Sequence, residues 1–400
     1  MTSPHVVMVS QNALLELDMR PRREAEALAA AGYRVTLVGG CGAPERVRQV
    51  TAPDVNLELY SQPSGGIGVS GQIREQSQAT VRAGTAVRRA ARRAPVAAVH
   101  AGNPPDNFFP ARRLLRPLQG FTPRFVFDQH DAAPLLLREK FPRTPLGRPL
   151  MAGARAIERR SFAAAGLVVF ANEGYHARAL RAGLLHGDSE VVLNGWSLPS
   201  VPPDPRWRAG RDHLLAYVGT ISEQDNVDHL VDAVAVLQAR RPLRMVVAGD
   251  GSALAAVKQR ARERHVTGSI EWLGLVRERA RIAALVRAAD VCVAPETDST
   301  FNRLATFVKI IEYMSAGAAV VAHRLPQTEA LAGDTIRYAA DMTAEGLAAA
   351  IDRLLDLPEE RRAIGAAARL RFEERISWER VGGPRLVAGY DRLLGSCRDT

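Results

Sequence analysis

"HVVMVSQNALLELDMRPRREAEALAAAGYRVTLVGG", residues 5–40, decides the fold. "HVVMVS" (5–10) is a short β-branched apolar run, "RREAEALAAAGY" (22–33) has helical composition and is closed by Gly32, and "RVTLVGG" (34–40) is a second apolar run. A strand, a helix and a strand in that space form a βαβ crossover, which lays two parallel strands side by side. The alternation continues outward, with strands expected at 97–102, 125–130, 166–172 and 189–195, each between Ala-, Leu- and Arg-rich helical stretches. A doubly wound parallel sheet follows.

The pattern breaks at "NGWSLPSVPPDPRWRAGRD" (194–212), where the prolines between Pro199 and Pro205 can continue neither a helix nor a central strand. It restarts with strands expected at 213–220, 243–251, 269–275, 290–296 and 318–324. The expected architecture is therefore α/β, with two Rossmann-like doubly wound parallel-sheet domains facing across a cleft. Their expected bounds are 1–195 and 213–378, joined by a Pro-rich linker at 196–212. A C-terminal helical stretch, 379–400, is expected to return to the first domain. Open α/β sheets bind ligands at the carboxyl ends of their strands, so function is sought on the loops there.

Composition narrows the class. A 400-residue chain with 46% hydrophobic and 24% charged residues is a folded protein of about two domains. Cys41, Cys292 and Cys397 lie far apart with no zinc-like spacing, so neither a disulfide framework nor a structural metal is expected. "MTSPHVVMVSQ" lacks the basic and long apolar regions of a signal peptide, and no apolar run is long enough to span a bilayer; a cytoplasmic protein is expected. Residues 1–200 hold 25 Lys+Arg against 16 Asp+Glu, and residues 201–400 hold 28 against 27, so nearly all of the net +10 charge lies in the first half. There "RRAARR" (88–93), "ARRLLRPL" (111–118) and "LLLREKFPRTPLGRPL" (135–150) mix cations with Leu and Phe. Such a surface suits an anionic membrane face or an anionic acceptor. Few aromatics accompany it and no recognition motif appears, so nucleic acid is not an expected partner.

Three loops of the second half carry the chemistry. "YVGTISEQDNVDHLVDAV" leaves a strand at Gly219–Thr220 and enters a helix, an arrangement that suits an anion. "VVAGDGSALAAV" repeats the arrangement at Gly249, Asp250 and Gly251, which a plain tight turn would also explain. In "KIIEYMSAG" (309–317), Lys309 and Glu312 share one helix face, either as a surface ion pair or as part of a site. In the first half, "DQHD" ends a strand and projects His130 and Asp131, and "HAGNPPD" places His100, Asn103 and Asp106 after another. "HVVMVSQNALLELD" has no GxGxxG, which argues against an NAD dehydrogenase.

The run from "YVGTISEQDNVDHLVDA" through "VVAGDG", "IEWLGLV" and "AADVCVAPE" to "KIIEYMSAGAAVVAH" resembles the nucleotide-donor domain of GT-B glycosyltransferases of family 4. "DMRPRREAEALAAAGYRVTLV", "VHAGNPPDNFF", "FVFDQHDAAPLLLREKF" and "VVLNG" are similar to the acceptor domain of a bacterial branch that assembles glycans. The resemblance implies a retaining, metal-independent transferase that takes a nucleotide sugar (UDP- or GDP-linked) as co-substrate and needs no other cofactor. Its acceptor would be a glycan, a lipid-linked precursor or a small molecule. Glu312 would then accept the ribose hydroxyls, and Lys309 would lie toward the diphosphate with Gly219 and Thr220. Arg303 and Thr306 would add donor contacts, and Gly249, Asp250 and Gly251 would border the nucleotide. His130 would meet the donor sugar beside Asp131, with His100, Asn103 and Asp106 on the acceptor side. Two positions depart from the family: Leu304 replaces an acidic residue, and Asn226 stands where glycine is usual. A GT-B-shaped epimerase and a non-catalytic nucleotide-sugar-binding protein remain alternatives.

Overall fold

The computed structural model describes residues 3–11, 13–63, 69–140 and 147–395. It divides into two compact units, Met1–Leu193 with Gly382–Thr400, and Asn194–Val381. Among the described residues the first holds seven strands: β1 (His5–Ser10), β2 (Arg34–Cys41), β3 (Asn56–Ser61), β4 (Ala98–Gly102), β5 (Arg124–Gln129), β6 (Leu167–Phe170) and β7 (Asp188–Val191). Their order is β3-β2-β1-β4-β5-β6-β7, and every pairing is parallel. Val6 of β1 faces Val35 of β2 on one side and Ala98 of β4 on the other. All six residues of β1 are buried, as a central strand covered by helices on both faces requires.

The second unit repeats the plan with β8 (His213–Val218), β9 (Leu243–Ala248), β10 (Ile270–Gly274), β11 (Val291–Ala294), β12 (Val320–Ala322) and β13 (Arg337–Tyr338), in the order β10-β9-β8-β11-β12-β13. Leu215, Tyr217, Met245 and Val247 from its strands pack with Leu230, Val234, Leu347 and Ile351 from the helices Val227–Gln238 and Ala344–Asp356. In both sheets the order reverses beside the first strand, at β1/β4 and at β8/β11. Connections leave the two neighbours in opposite directions there, which opens a crevice at the carboxyl ends.

β3 and β13 have no counterpart among the expected strands. β3 lies at a sheet edge with only two of six residues buried, and β13 has two residues, so neither shows the continuous apolar run of a central strand. Part of the basic stretch 135–150, residues 141–146, lies outside the described residues.

The Pro-rich stretch packs on the second unit: Ser315 Oγ accepts from the Leu198 N–H (3.0 Å) and the Arg279 guanidinium donates to the Ser197 carbonyl (3.2 Å). The final helix, Gly383–Leu394, packs within the first unit, where the Tyr33 hydroxyl donates to Asp391 (2.7 Å). Within the second unit the Gly195 carbonyl accepts from the Trp378 N–H at 2.7 Å. A Cβ at Gly195 would stand 1.8 Å from the Ile376 carbonyl oxygen, so only glycine permits that approach. Gly195→Ala is therefore expected to cost about 1–3 kcal/mol through forced backbone movement, read as a lowered melting temperature by calorimetry.

Candidate functional site

Lys309 and Glu312 sit on the helix Val308–Ala316, and both are buried, at 8% and 9% exposure, so they are not a solvated surface pair. Nor do they bond to each other. Lys309 Nζ lies 2.6 Å from Glu296 Oε1, 3.1 Å from Asp225 Oδ1 and 2.8 Å from the Tyr217 hydroxyl. Burial works against the ammonium, but Glu296, Tyr217 and Asp225 outweigh it and raise the Lys309 pKa above its ordinary value. Glu312 pairs with Arg279 at 2.8 Å, and burial, opposed by that guanidinium, raises its carboxyl.

The partners of Lys309 come from two neighbouring strands and the connections at their carboxyl ends in the second sheet. Tyr217 belongs to β8, Glu296 follows β11, and Asp225 closes the turn after β8, where the Ser222 N–H donates to its carboxylate at 3.0 Å. Asn226 ends that turn in the left-handed region at φ 57° and donates to the Pro295 carbonyl (2.9 Å). Asparagine tolerates this conformation better than most residues, which explains how it stands in a glycine position. Gly219, at φ 153°, lies directly under the lysine: a Cβ there would be 2.8 Å from Lys309 Cε.

The glycine turns pack on each other. A Cβ at Gly249 would be 1.9 Å from the Gly219 carbonyl oxygen, and one at Gly251 would be 2.3 Å from that of Ile221. The Ile221 N–H donates to the Asp250 carbonyl at 3.0 Å, and the Asp250 carboxylate accepts from the Gly251 N–H at 2.8 Å. Thr220 is exposed, its carbonyl accepting from the Tyr217 hydroxyl at 2.5 Å. Arg303 forms a two-pronged, exposed pair with Asp298 (2.5 and 2.7 Å), and Thr306 is half-buried two residues before the helix.

In the first unit, Asp128 of β5 is the centre. It accepts from Arg20 Nε (3.1 Å) and Nη2 (2.7 Å), bonds the His130 ring at Nε2, and has His100 Nε2 at 3.5 Å. Burial alone would raise its pKa, yet Arg20, His130 and His100 hold the carboxyl well below the usual carboxylate range. His130 is likewise depressed by burial and raised, on balance, by Asp128. Gly102 makes room for it, since a Cβ there would be 3.3 Å from His130 Cε1. Asn103 locks the loop: its Oδ1 accepts from the N–H groups of His130 (2.6 Å) and Asp131 (3.1 Å), and its Nδ2 donates to Asp106 Oδ1 (2.7 Å) and to the Asp131 carbonyl (2.7 Å). Asp131 Oδ1 accepts from the Tyr175 hydroxyl at 3.3 Å. Asp106 is buried, and desolvation, only partly offset by Asn103, pushes it up to about 7.

His100 lies inside this network, 2% exposed, with Nδ1 at 2.8 Å from the Tyr390 hydroxyl and Nε2 at 3.4 Å from Glu24. Glu24, His100 and Asp128 place one ligand atom each within 4.8 Å of one another, as a metal site would. Arg20, however, already ion-pairs with both carboxylates, at 3.1 Å to Glu24 and 2.7 Å to Asp128, and supplies the cation.

Sequence reasoning assigned no role to Glu296, Asp225, Tyr217, Arg279, Arg20, Glu24 and Tyr390. Glu296 had a signal, a carboxylate directly after a buried strand, and Lys309 had another, since Lys140, Lys258 and Lys309 are the only lysines of the chain. Arg20 and Arg279 gave none in a chain so rich in arginine.

Two family models match: "Glycosyl transferase 4-like domain" over residues 19–195 and "Glycosyl transferases group 1" over residues 212–357. The chain belongs to the GT-B glycosyltransferases of the family-4 type. Over 198 residues it is 30% identical to a GDP-mannose-dependent alpha-(1-6)-phosphatidylinositol dimannoside mannosyltransferase of Mycobacterium tuberculosis, covering 48% of each chain. Over 194 residues it is 27% identical to an MMP alpha-(1->4)-mannosyltransferase of Mycolicibacterium hassiacum, covering 48% of this chain and 45% of that one. The matched stretch thus spans about half the length of these curated relatives. Among solved structures, sucrose-phosphate synthase of Thermosynechococcus elongatus shares the fold with a TM-score of 0.75 at 18% identity, covering 98% of this chain and 99% of that one. Anabaena HepE, in complex with UDP and glucose, does so with a TM-score of 0.68 at 14% identity, covering 99% and 100%.

The His100 network generates a pH dependence. Burial lowers the imidazole pKa, but bonds to Asp128 and Glu24 outweigh it and bring it to about 9, against an ordinary 6.5. A histidine raised on folding stabilises fully below pH 6.5, and that contribution is lost as pH rises through about 9. Thermal melts across this window are expected to show a falling melting temperature, and His100→Gln is expected to flatten the fall.

Proposed function

We propose that the chain transfers a sugar, with retention, from a nucleoside diphosphate sugar to an acceptor hydroxyl. The observation that carries this reading is the convergence of Gly219, Lys309 and Glu312 at the β8/β11 switch point of a unit that matches a glycosyltransferase model. Nucleotides bind at such points in doubly wound sheets. Glu312 takes the ribose hydroxyls, because a carboxylate accepts from two neighbouring O–H donors. Arg279 holds that carboxylate in place and opposes the upward pull of burial on it.

Lys309 serves the diphosphate. It donates to Tyr217 and Asp225 and ion-pairs with Glu296, so an incoming phosphate oxygen replaces one of these partners and takes over part of its role. The ammonium then offsets the charge that develops on the departing nucleoside diphosphate. In retaining transfer the acceptor proton passes to the leaving diphosphate on the same face of the sugar, so the protein mainly positions the reactants. His130, held by Asp128, contacts the sugar, with Asp131 beside it on a loop fixed by Asn103. UDP with glucose bound to the HepE neighbour, and GDP-mannose in the name of the mycobacterial relative, support a nucleotide sugar as donor.

A lipid-linked acceptor fits the first unit's surface. The helix Ala111–Gln119 leaves Leu114 and Leu118 exposed beside Arg113 and Arg116, with Phe121 exposed just beyond it. Among the described residues no helix is long and apolar enough to cross a membrane, so contact would be peripheral. Each arginine at an anionic surface contributes about 1 kcal/mol. Co-sedimentation with vesicles rich in phosphatidylglycerol is expected to fall sharply in a Leu114→Asp/Leu118→Asp variant, and unchanged binding would remove the membrane part of the reading.

Thermal shift against a panel of nucleoside diphosphates tests the donor site, with at least one diphosphate expected to raise the melting temperature. Glu312→Ala is expected to weaken that binding about 10- to 100-fold, the worth of a charged hydrogen-bonded pair. In transfer assays Lys309→Ala is expected to lower kcat about 100- to 1,000-fold. Activity at the native level in both variants would refute the proposed function.

A further inference from the structure

The second unit holds a cavity of about 420 Å³ on the side away from Lys309, and its lining brings four arginines together: Arg208, Arg287, Arg361 and Arg362. It lies at the amino ends of the strands, since Asp290 immediately precedes β11 and Ala318–Ala319 immediately precede β12. Val201 and Pro203 of the Pro-rich stretch supply an apolar wall.

Asp290 is the only acidic residue of this lining, and it is fully engaged. Arg208 grips it with two nitrogens (2.8 and 3.1 Å), Arg361 reaches it at 3.3 Å, and the Leu214 N–H donates to it at 2.9 Å. Arg362 pairs with Glu359 at the exposed rim. Arg287 differs from the other three. Its Nη1 makes one long bond, 3.4 Å to the Ala316 carbonyl, and its Nε is buried without a hydrogen-bond partner. Arg287 is thus held by the weakest contact of the four, which leaves its guanidinium the most available to an acceptor in the cavity. The fork geometry of guanidinium matches tetrahedral oxyanions, and four guanidiniums against Asp290 and the rim carboxylate of Glu359 leave a surplus of two positive charges, which suits an anion of more than one negative charge.

We infer that this cavity is a second ligand site, separate from the donor site, for a small free molecule bearing one or more phosphate groups. Arg287 is its central contact, and Arg362 closes the rim once drawn from Glu359. Neither residue belongs to the Lys309–Glu312 constellation, so the inference stands whether or not the chain transfers sugars.

Isothermal titration of the full chain with inorganic pyrophosphate tests it. Because a nucleotide site also attracts pyrophosphate, the titration is repeated in Arg287→Gln, Arg362→Gln and Lys309→Ala. Saturable binding weakened about tenfold or more in Arg287→Gln, and weakened measurably in Arg362→Gln, is the expected result. Binding should also weaken as salt is raised. Absence of saturable binding overturns the inference, as does binding abolished by Lys309→Ala and unaltered in both arginine variants. Arg362 is exposed, so its variant keeps the test decisive should Arg287→Gln fold poorly.

Discussion

One buried ammonium organises the second unit. Lys309 ties Tyr217 on β8, Glu296 beyond β11 and Asp225 in the turn after β8 to a single point. Removing an ammonium from water costs several kcal/mol, and the cost is met only because two carboxylates and a phenol replace its hydration shell. The carboxylates need it equally: without the lysine, Glu296, 1% exposed, would face Asp225 with no opposing charge. A group held so firmly is already oriented before any ligand arrives, which is the condition for electrostatic stabilisation without reorganisation.

The first unit solves the same problem with an arginine. Asp128 draws together Arg20 from the first helix, His100 from β4 and the ring of His130 from its own strand end. Arg20 spans further than a lysine would, bonding Asp128 with two nitrogens and the Val192 carbonyl with a third (2.7 Å). Planar forked donors suit that task and a point charge suits the other. The two histidines of this centre differ in exposure: His100 is sealed, whereas His130 keeps 18% of its side chain accessible, so only the latter can touch a ligand.

Local pattern revealed the architecture wherever strands are buried on both faces, because continuous β-branched runs such as "HVVMVS" leave little choice. It failed at β3 and β13, where half-burial or brevity removes the signal. Lys309 and Glu312 were legible as a spaced pair, but their separate partners were not, since Arg279 lies 33 residues from Glu312 in sequence and Asp225 lies 84 from Lys309. Gly249 and Gly251 were legible as a turn, whereas the nesting of that turn on Gly219 and Ile221 is a tertiary fact. His100, read as following its strand on the acceptor side, lies within β4, two residues before its end, and is the innermost member of a buried network.

The return of the helix Gly383–Leu394 to the first unit has a consequence for biosynthesis. Tyr390, the hydroxyl partner of His100, leaves the ribosome after the whole of Asn194–Val381. During translation the first unit therefore waits with a charged histidine cluster uncovered while the second is made and folds as an inserted body. A nascent chain halted near residue 380 would expose the apolar face that the last helix covers, and chaperone engagement should persist until that segment emerges.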